Sequence, residues 1–83
     1  MIDETTILAE LKLHRIGAFK TIINEFSEHL EALAYSELGD RKLAAEAVSD
    51  VLYSQWMNSF IDCPAPPLKD CLNAQVKLAC LNR

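Results

Sequence analysis

The residues whose types and spacing suit joint chemistry lie between Leu38 and Trp56, in the stretch LGDRKLAAEAVSDVLYSQW. A helix turns by roughly 100° per residue, which places Glu46, Ser49, Asp50 and Tyr53 on one side of this stretch. Ala44, Ala47, Val48, Val51 and Leu52 fall on the other. An amphipathic helix needs the second stripe to reach a core, but it does not need the first to be so acidic. The acidic side therefore marks a candidate binding surface, although a merely solvated face carries charges of the same kind. Catalysis lacks its parts: there is no nucleophile–base pairing, no glycine-rich phosphate loop and no ligand cluster for a metal. Cys63, between Asp62 and Pro64, is the only conceivable reactive group, and no nearby histidine or motif supports it. The expectation is a protein without catalytic residues, metal or cofactor, acting on no small-molecule substrate.

A chain of 83 residues makes one small domain. Such a chain buries only about 60% of its unfolded surface. Its 51% apolar and 24% charged content suits a compact soluble fold, and two glycines with three prolines leave little for sheet turns or disorder. The net charge of −4 argues against indiscriminate binding to nucleic acid but allows a local basic face. Cys63, Cys71 and Cys80 are odd in number and form no C-x-x-C pair. With no secretory signal and no apolar run of about 18 residues, the simplest home is the cytoplasm, with the three thiols reduced and acting as small hydrophobes. His14 and His29 read as surface or boundary side chains.

Four helices must position these groups. The first covers about 3–13, capped by Asp3 or Thr5, with an apolar stripe of Ile7, Leu8, Leu11 and Leu13. After His14 and Arg15, a long helix runs over about 16–38. Its three-and-four spacing joins Ile16, Phe19, Ile22, Ile23, Phe26, Leu30, Leu33 and Ala34, while Glu25, Glu28 and Glu31 stay wet. Gly39 closes it and Asp40 opens the next, over about 40–58. Residues 59–67 form a loop, because consecutive prolines remove donors and fix the backbone. A last helix over about 68–82 follows, with Pro66 or Pro67 near its first turn. Leu68, Cys71, Leu72, Gln75, Val76 and Ala79 form its inner face, widened by Leu78, Cys80 and Leu81. No segment alternates with a period of two, so the fold class is all-α: a compact bundle of three main helices plus a short N-terminal one.

This ordered series resembles region two of bacterial RNA polymerase sigma factors of the extracytoplasmic-function (ECF) class, in its Bacteroidetes-like form. The matching residues are Ala18-Phe19 at the start of the long helix, Leu38-Gly39-Asp40 at the junction, and then Ala44, Glu46, Ser49, Asp50-Val51-Leu52 and Trp56. Cys71-Leu72 and Cys80-Leu81-Asn82 follow at fitting distances, so the resemblance covers essentially the whole chain. It implies a sigma-region-two-like bundle that serves transcription initiation. The acidic face of the third helix would dock on a basic coiled coil of the largest subunit of core RNA polymerase. Glu46 and Asp50 would be the acids, with Ser49 standing where the family has Gln and Tyr53 beside them. Carboxylates one turn apart offer paired acceptors to arginine.

The resemblance also implies recognition and melting of the minus-ten promoter element by the last helix and the loop before it. Phe60, Lys69, Asn73, Lys77, Asn82 and Arg83 are the candidates, since cations suit phosphates and aromatic faces suit bases. Trp56 reads as a packing anchor. Three positions depart from the pattern: Cys71 replaces an aromatic, Leu78 an asparagine, and Asp70 adds an acid. The family's second promoter-binding domain has no counterpart here. The competing expectation is a protein-interaction module without DNA activity. It would bind an anti-sigma factor, or self-associate through Phe60, Ile61, Leu78 and Leu81.

Overall fold

A computed structural model describes residues 3–82. Four helices follow one another: α1 (Glu4–Lys12), α2 (Ile16–Leu38), α3 (Arg41–Met57) and α4 (Leu68–Leu81). The architecture is an all-helical bundle, and α2 packs against each of the other three. A radius of gyration of 12.1 Å matches the roughly 12 Å expected of a globular chain this long.

Local chemistry explains the boundaries. Asp3 caps α1, its carboxylate accepting from the Thr5 and Thr6 amides. The αL conformation of Gly39 (φ 69°) ends α2, and its N–H donates to the Tyr35 carbonyl at 2.7 Å. Asp40 then accepts from the Leu43 amide at 2.9 Å and opens α3. Pro67 holds the N-cap position of α4 and offers no side-chain acceptor. That lack is met from elsewhere in the chain: Glu4 Oε1 accepts from the Leu68 amide at 2.6 Å, tying α1 to α4 across 64 residues of sequence.

One core runs through the bundle. Ala18, Ile22, Phe26, Leu30 and Ala34 of α2 face Ala44, Ala47, Val48, Val51 and Leu52 of α3, and Leu68, Leu72, Val76 and Cys80 of α4 complete it. Leu8 and Leu11 of α1 close one side. Ile16, Leu13, Leu78 and Leu81, assigned to inner stripes by spacing, are instead exposed. Ile16 and Leu13 lie at the α1–α2 joint, Leu78 borders a cleft between α3 and α4, and Leu81 is the last residue of α4.

The loop between α3 and α4 departs most from expectation. Phe60 is fully buried there, so it neither stacks on bases nor adds to an associating surface. Cys63 and Cys71 form a disulfide, with Cα atoms 5.8 Å apart, where three reduced thiols were expected; Cys80 is free and buried. Their types and number gave no hint of the pairing. Loop and helix packing brings the two together across eight residues. Closing so short a loop contributes about 2–3 kcal/mol on chain-entropy grounds. The Pro66–Pro67 peptide bond is cis.

Two outcomes test this account. Glu4→Ala strips the acceptor from the part-buried Leu68 amide at the start of α4 and is expected to cost about 1–2 kcal/mol in urea unfolding, whereas Glu4→Gln, which keeps an acceptor, costs less. The Asp3 carboxyl is held below its ordinary range first by the Thr6 hydroxyl and then by the Thr6 amide; desolvation opposes them, and the Thr5 amide adds the least. A depressed folded value means the cap is complete above the ordinary carboxylate pKa and is lost as pH falls through the lowered value. Amide protection at Thr5 and Thr6, taken relative to the intrinsic exchange rate at each pH, should therefore fall in acid, and Asp3→Asn should flatten that dependence.

Candidate docking face on the third helix

The buried stripe of α3 fixes what its other side presents. With Ala44, Ala47, Val48, Val51, Leu52 and Gln55 turned inward, Glu46, Ser49, Asp50 and Tyr53 are all exposed. They do not form one uninterrupted patch. Ser49 and Tyr53 line a cavity of about 290 Å³ between α2 and α3, whose floor includes Phe19, Ile23, Val48 and Leu52. Asp50 lines a second cavity, of about 260 Å³, between α3 and α4. Glu46 belongs to neither. The ridge thus carries Asp50 toward α4 and a largely apolar groove on its α2 side, with Glu46 bordering neither cavity. Glu31 of α2 borders that groove, its carboxylate accepting from the Ser27 hydroxyl at 3.0 Å.

The residues proposed to meet DNA are less coherent. Lys69 and Lys77 are exposed on α4. Asn73 is half-buried, and its Oδ1 accepts from His29 Nε2 at 3.1 Å, which joins it to α2. Asn82 caps α4 and lines the same cavity as Asp50 and Asp62, a negative setting for a phosphate to enter. Arg83 lies outside the described residues. With Phe60 in the core, no aromatic face accompanies these cations, since α4 itself carries no aromatic residue. Asp70, exposed beside Lys69, offsets part of the charge at the start of α4.

Trp56 is half-buried and packs in a three-ring stack. Its centroid lies 4.7 Å from that of Phe19 and 4.9 Å from that of His14, at interplanar angles of 19° and 29°. His14 Nε2 and Ser59 Oγ, 2.7 Å apart, share a hydrogen bond whose direction follows the imidazole tautomer. Both residues are left-handed, at φ 56° and 55°. The α1–α2 joint and the end of α3 are thereby locked together, and His14 gains a structural role that its isolation in sequence did not suggest.

Sequence reasoning also missed Gln55. Its side chain is 2% exposed, the one buried polar residue among those described. Nε2 donates to Asp62 Oδ2 at 3.0 Å, while Oε1 has no hydrogen-bond partner. An acceptor left in this condition costs about 1–3 kcal/mol. The signal was present, because position 55 continues the spacing of Val48, Val51 and Leu52; only the polar character of glutamine hid it.

Among the described residues, no cluster of histidine, cysteine, aspartate or glutamate could hold a metal ion, and no helix is long and apolar enough to cross a membrane. No family model, curated protein or solved structure matches the chain.

The reassignment of Phe60 is testable by stability. Phe60→Ala should cost about 3–5 kcal/mol, as expected for a fully buried ring. A base-contacting loop residue would leave urea unfolding nearly unchanged.

Proposed function

We propose that this domain is a transcription initiation factor module of the sigma region-two kind, docking on core RNA polymerase through the exposed side of α3. The observation that carries the reading is the placement of Glu46, Ser49, Asp50 and Tyr53. All four are exposed opposite a stripe the core consumes, so the acidic ridge is available to a partner without unfolding anything. Charges at the rim of an interface steer encounter and set register, and the apolar groove beside Tyr53 gives a helical partner something to bury. Core polymerase's largest subunit, with a basic coiled coil, is the partner this surface suits. The role is one of binding, with no catalytic step.

Minus-ten recognition receives weaker support. Lys69 and Lys77 remain suited to phosphates, but the stacking ring proposed at Phe60 belongs to the core. A cytoplasmic setting goes with the polymerase reading. The Cys63–Cys71 bond weighs against a strongly reducing compartment, where such bonds are rare.

A second reading is favoured by a specific observation: Ile61, Leu78 and Leu81 are 70%, 55% and 79% exposed. Apolar side chains so placed suit an interaction module, binding an anti-sigma factor or a second copy, that does not touch DNA.

Retention on immobilised core polymerase separates the two. Glu46→Arg with Asp50→Arg should weaken retention by about tenfold or more, while Lys69→Ala with Lys77→Ala should leave it intact. Equal retention of the charge-reversed protein overturns the docking assignment. For the DNA role, single-stranded minus-ten DNA should bind at low salt and weaken as salt rises, and the lysine pair should reduce that binding.

A further inference from the structure

One long face of α2 stays open after the core is built. Helical spacing sets Ile16, Lys20, Asn24, Glu28 and Ala32 in one row, and all five are exposed. A second row, of Phe19, Ile23, Ser27 and Glu31, runs beside it and ends at Tyr35. Clefts follow these rows along the helix. One is lined by Phe19 and Ile23, the next by Asn24 and Glu28, a third by Ala32 and Tyr35, and Glu31 borders all three. Ile16 and Tyr35, at the two ends, are 57% and 46% exposed. The strip between them is roughly 28 Å long at the helical rise.

Charge is divided unevenly along the strip. The N-terminal half carries Lys20, and the chain has no acid between Glu10 and Glu25. The C-terminal half carries Glu28 and Glu31, and the cation lining that end, Arg41, lies over the Tyr35 ring at 5.8 Å. A face basic at one end and acidic at the other complements a second copy of itself running the opposite way. A parallel copy would set like charges together. In a two-fold contact, residue i meets residue j while j meets i. With the axis passing between Asn24 and Ser27, Lys20 falls opposite Glu31 of the second copy, and Phe19 opposite its Ala32. Ile16 falls opposite its Tyr35, and Asn24 opposite its Ser27. Ile23 against Glu28 is the one unlike pair. Opposite charges therefore meet, and the exposed apolar side chains at the ends cover one another.

We propose that α2 pairs with α2 of a second copy, antiparallel about this axis, in a weak two-fold dimer. A strip of this length and about 10 Å wide falls short of the roughly 800 Å² per partner of a standard interface, which sets the dissociation constant on the order of 100 µM. Ser49 and Tyr53 line the α3 wall of the same groove, so the pair also covers part of the docking ridge. That consequence rests on the docking reading; the pairing itself does not.

The test is sedimentation equilibrium of the chain at low salt, from about 10 µM to about 1 mM. The average mass should rise from monomer toward dimer and no further. Lys20→Glu and Glu31→Lys each set like charges opposite one another, and the axis repeats every contact, so each should weaken dimerisation about tenfold. The double variant Lys20→Glu with Glu31→Lys restores both pairs and should dimerise within about threefold of the unaltered chain. Lys20 and Glu31 are exposed, so these variants keep the core, which circular dichroism checks. A chain that stays monomeric throughout, or assembles beyond a dimer, overturns the proposal. Single variants that dimerise like the unaltered chain assign association to another face and overturn it too, and a double variant as weak as the singles does the same by denying the register. The assay contains no polymerase and leaves Glu46 and Asp50 unaltered, so its failure does not touch the docking reading.

Discussion

Burial of the long apolar stripe of α2 is the constraint on which everything else depends. Ile22, Leu30 and Ala34 are fully buried and Ala18 and Phe26 nearly so, and every other helix docks on this one. A chain of this size has little surface to remove from water, so the helix that carries most of the stripe must be covered on several sides. Ala44 and Ala47 bring α3 close to it, and the large side chains Leu72 and Val76 of α4 fill the space that remains. Once α3 is committed by that face, the direction of Glu46, Ser49, Asp50 and Tyr53 follows without further choice.

The segment between α3 and α4 solves a different problem. It holds three prolines, and α4 begins at a position where no local side chain can cap it. Long-range contacts supply the order: Phe60 and Cys63 sink into the core, Cys63 bonds to Cys71, and Glu4 reaches across from α1 to the first amide of α4. The stack of His14 on Trp56 does the same service at the neighbouring joint. These contacts explain why a loop that reads as exposed and suited to nucleic acid is largely structural. On α3 Glu46, Ser49, Asp50 and Tyr53 stay exposed after packing, whereas on α4 Asn73 is half-buried and bonded to His29.

Period and punctuation in the sequence determined the helices. The spacing from Phe19 to Ala34, the Gly39-Asp40 junction and the proline run set bounds within a residue or two of those observed, because capping and amphipathicity are local. The two faces of α3 were legible for the same reason. What only the tertiary structure decided was how the ends and the loop were used: that Phe60 is core, that Cys63 meets Cys71, that Leu78 and Leu81 face outward, and that Gln55 is buried with an acceptor unsatisfied. Each depends on which distant segment arrives at that point, and a helical period describes the face of one element without naming the neighbour that will cover it.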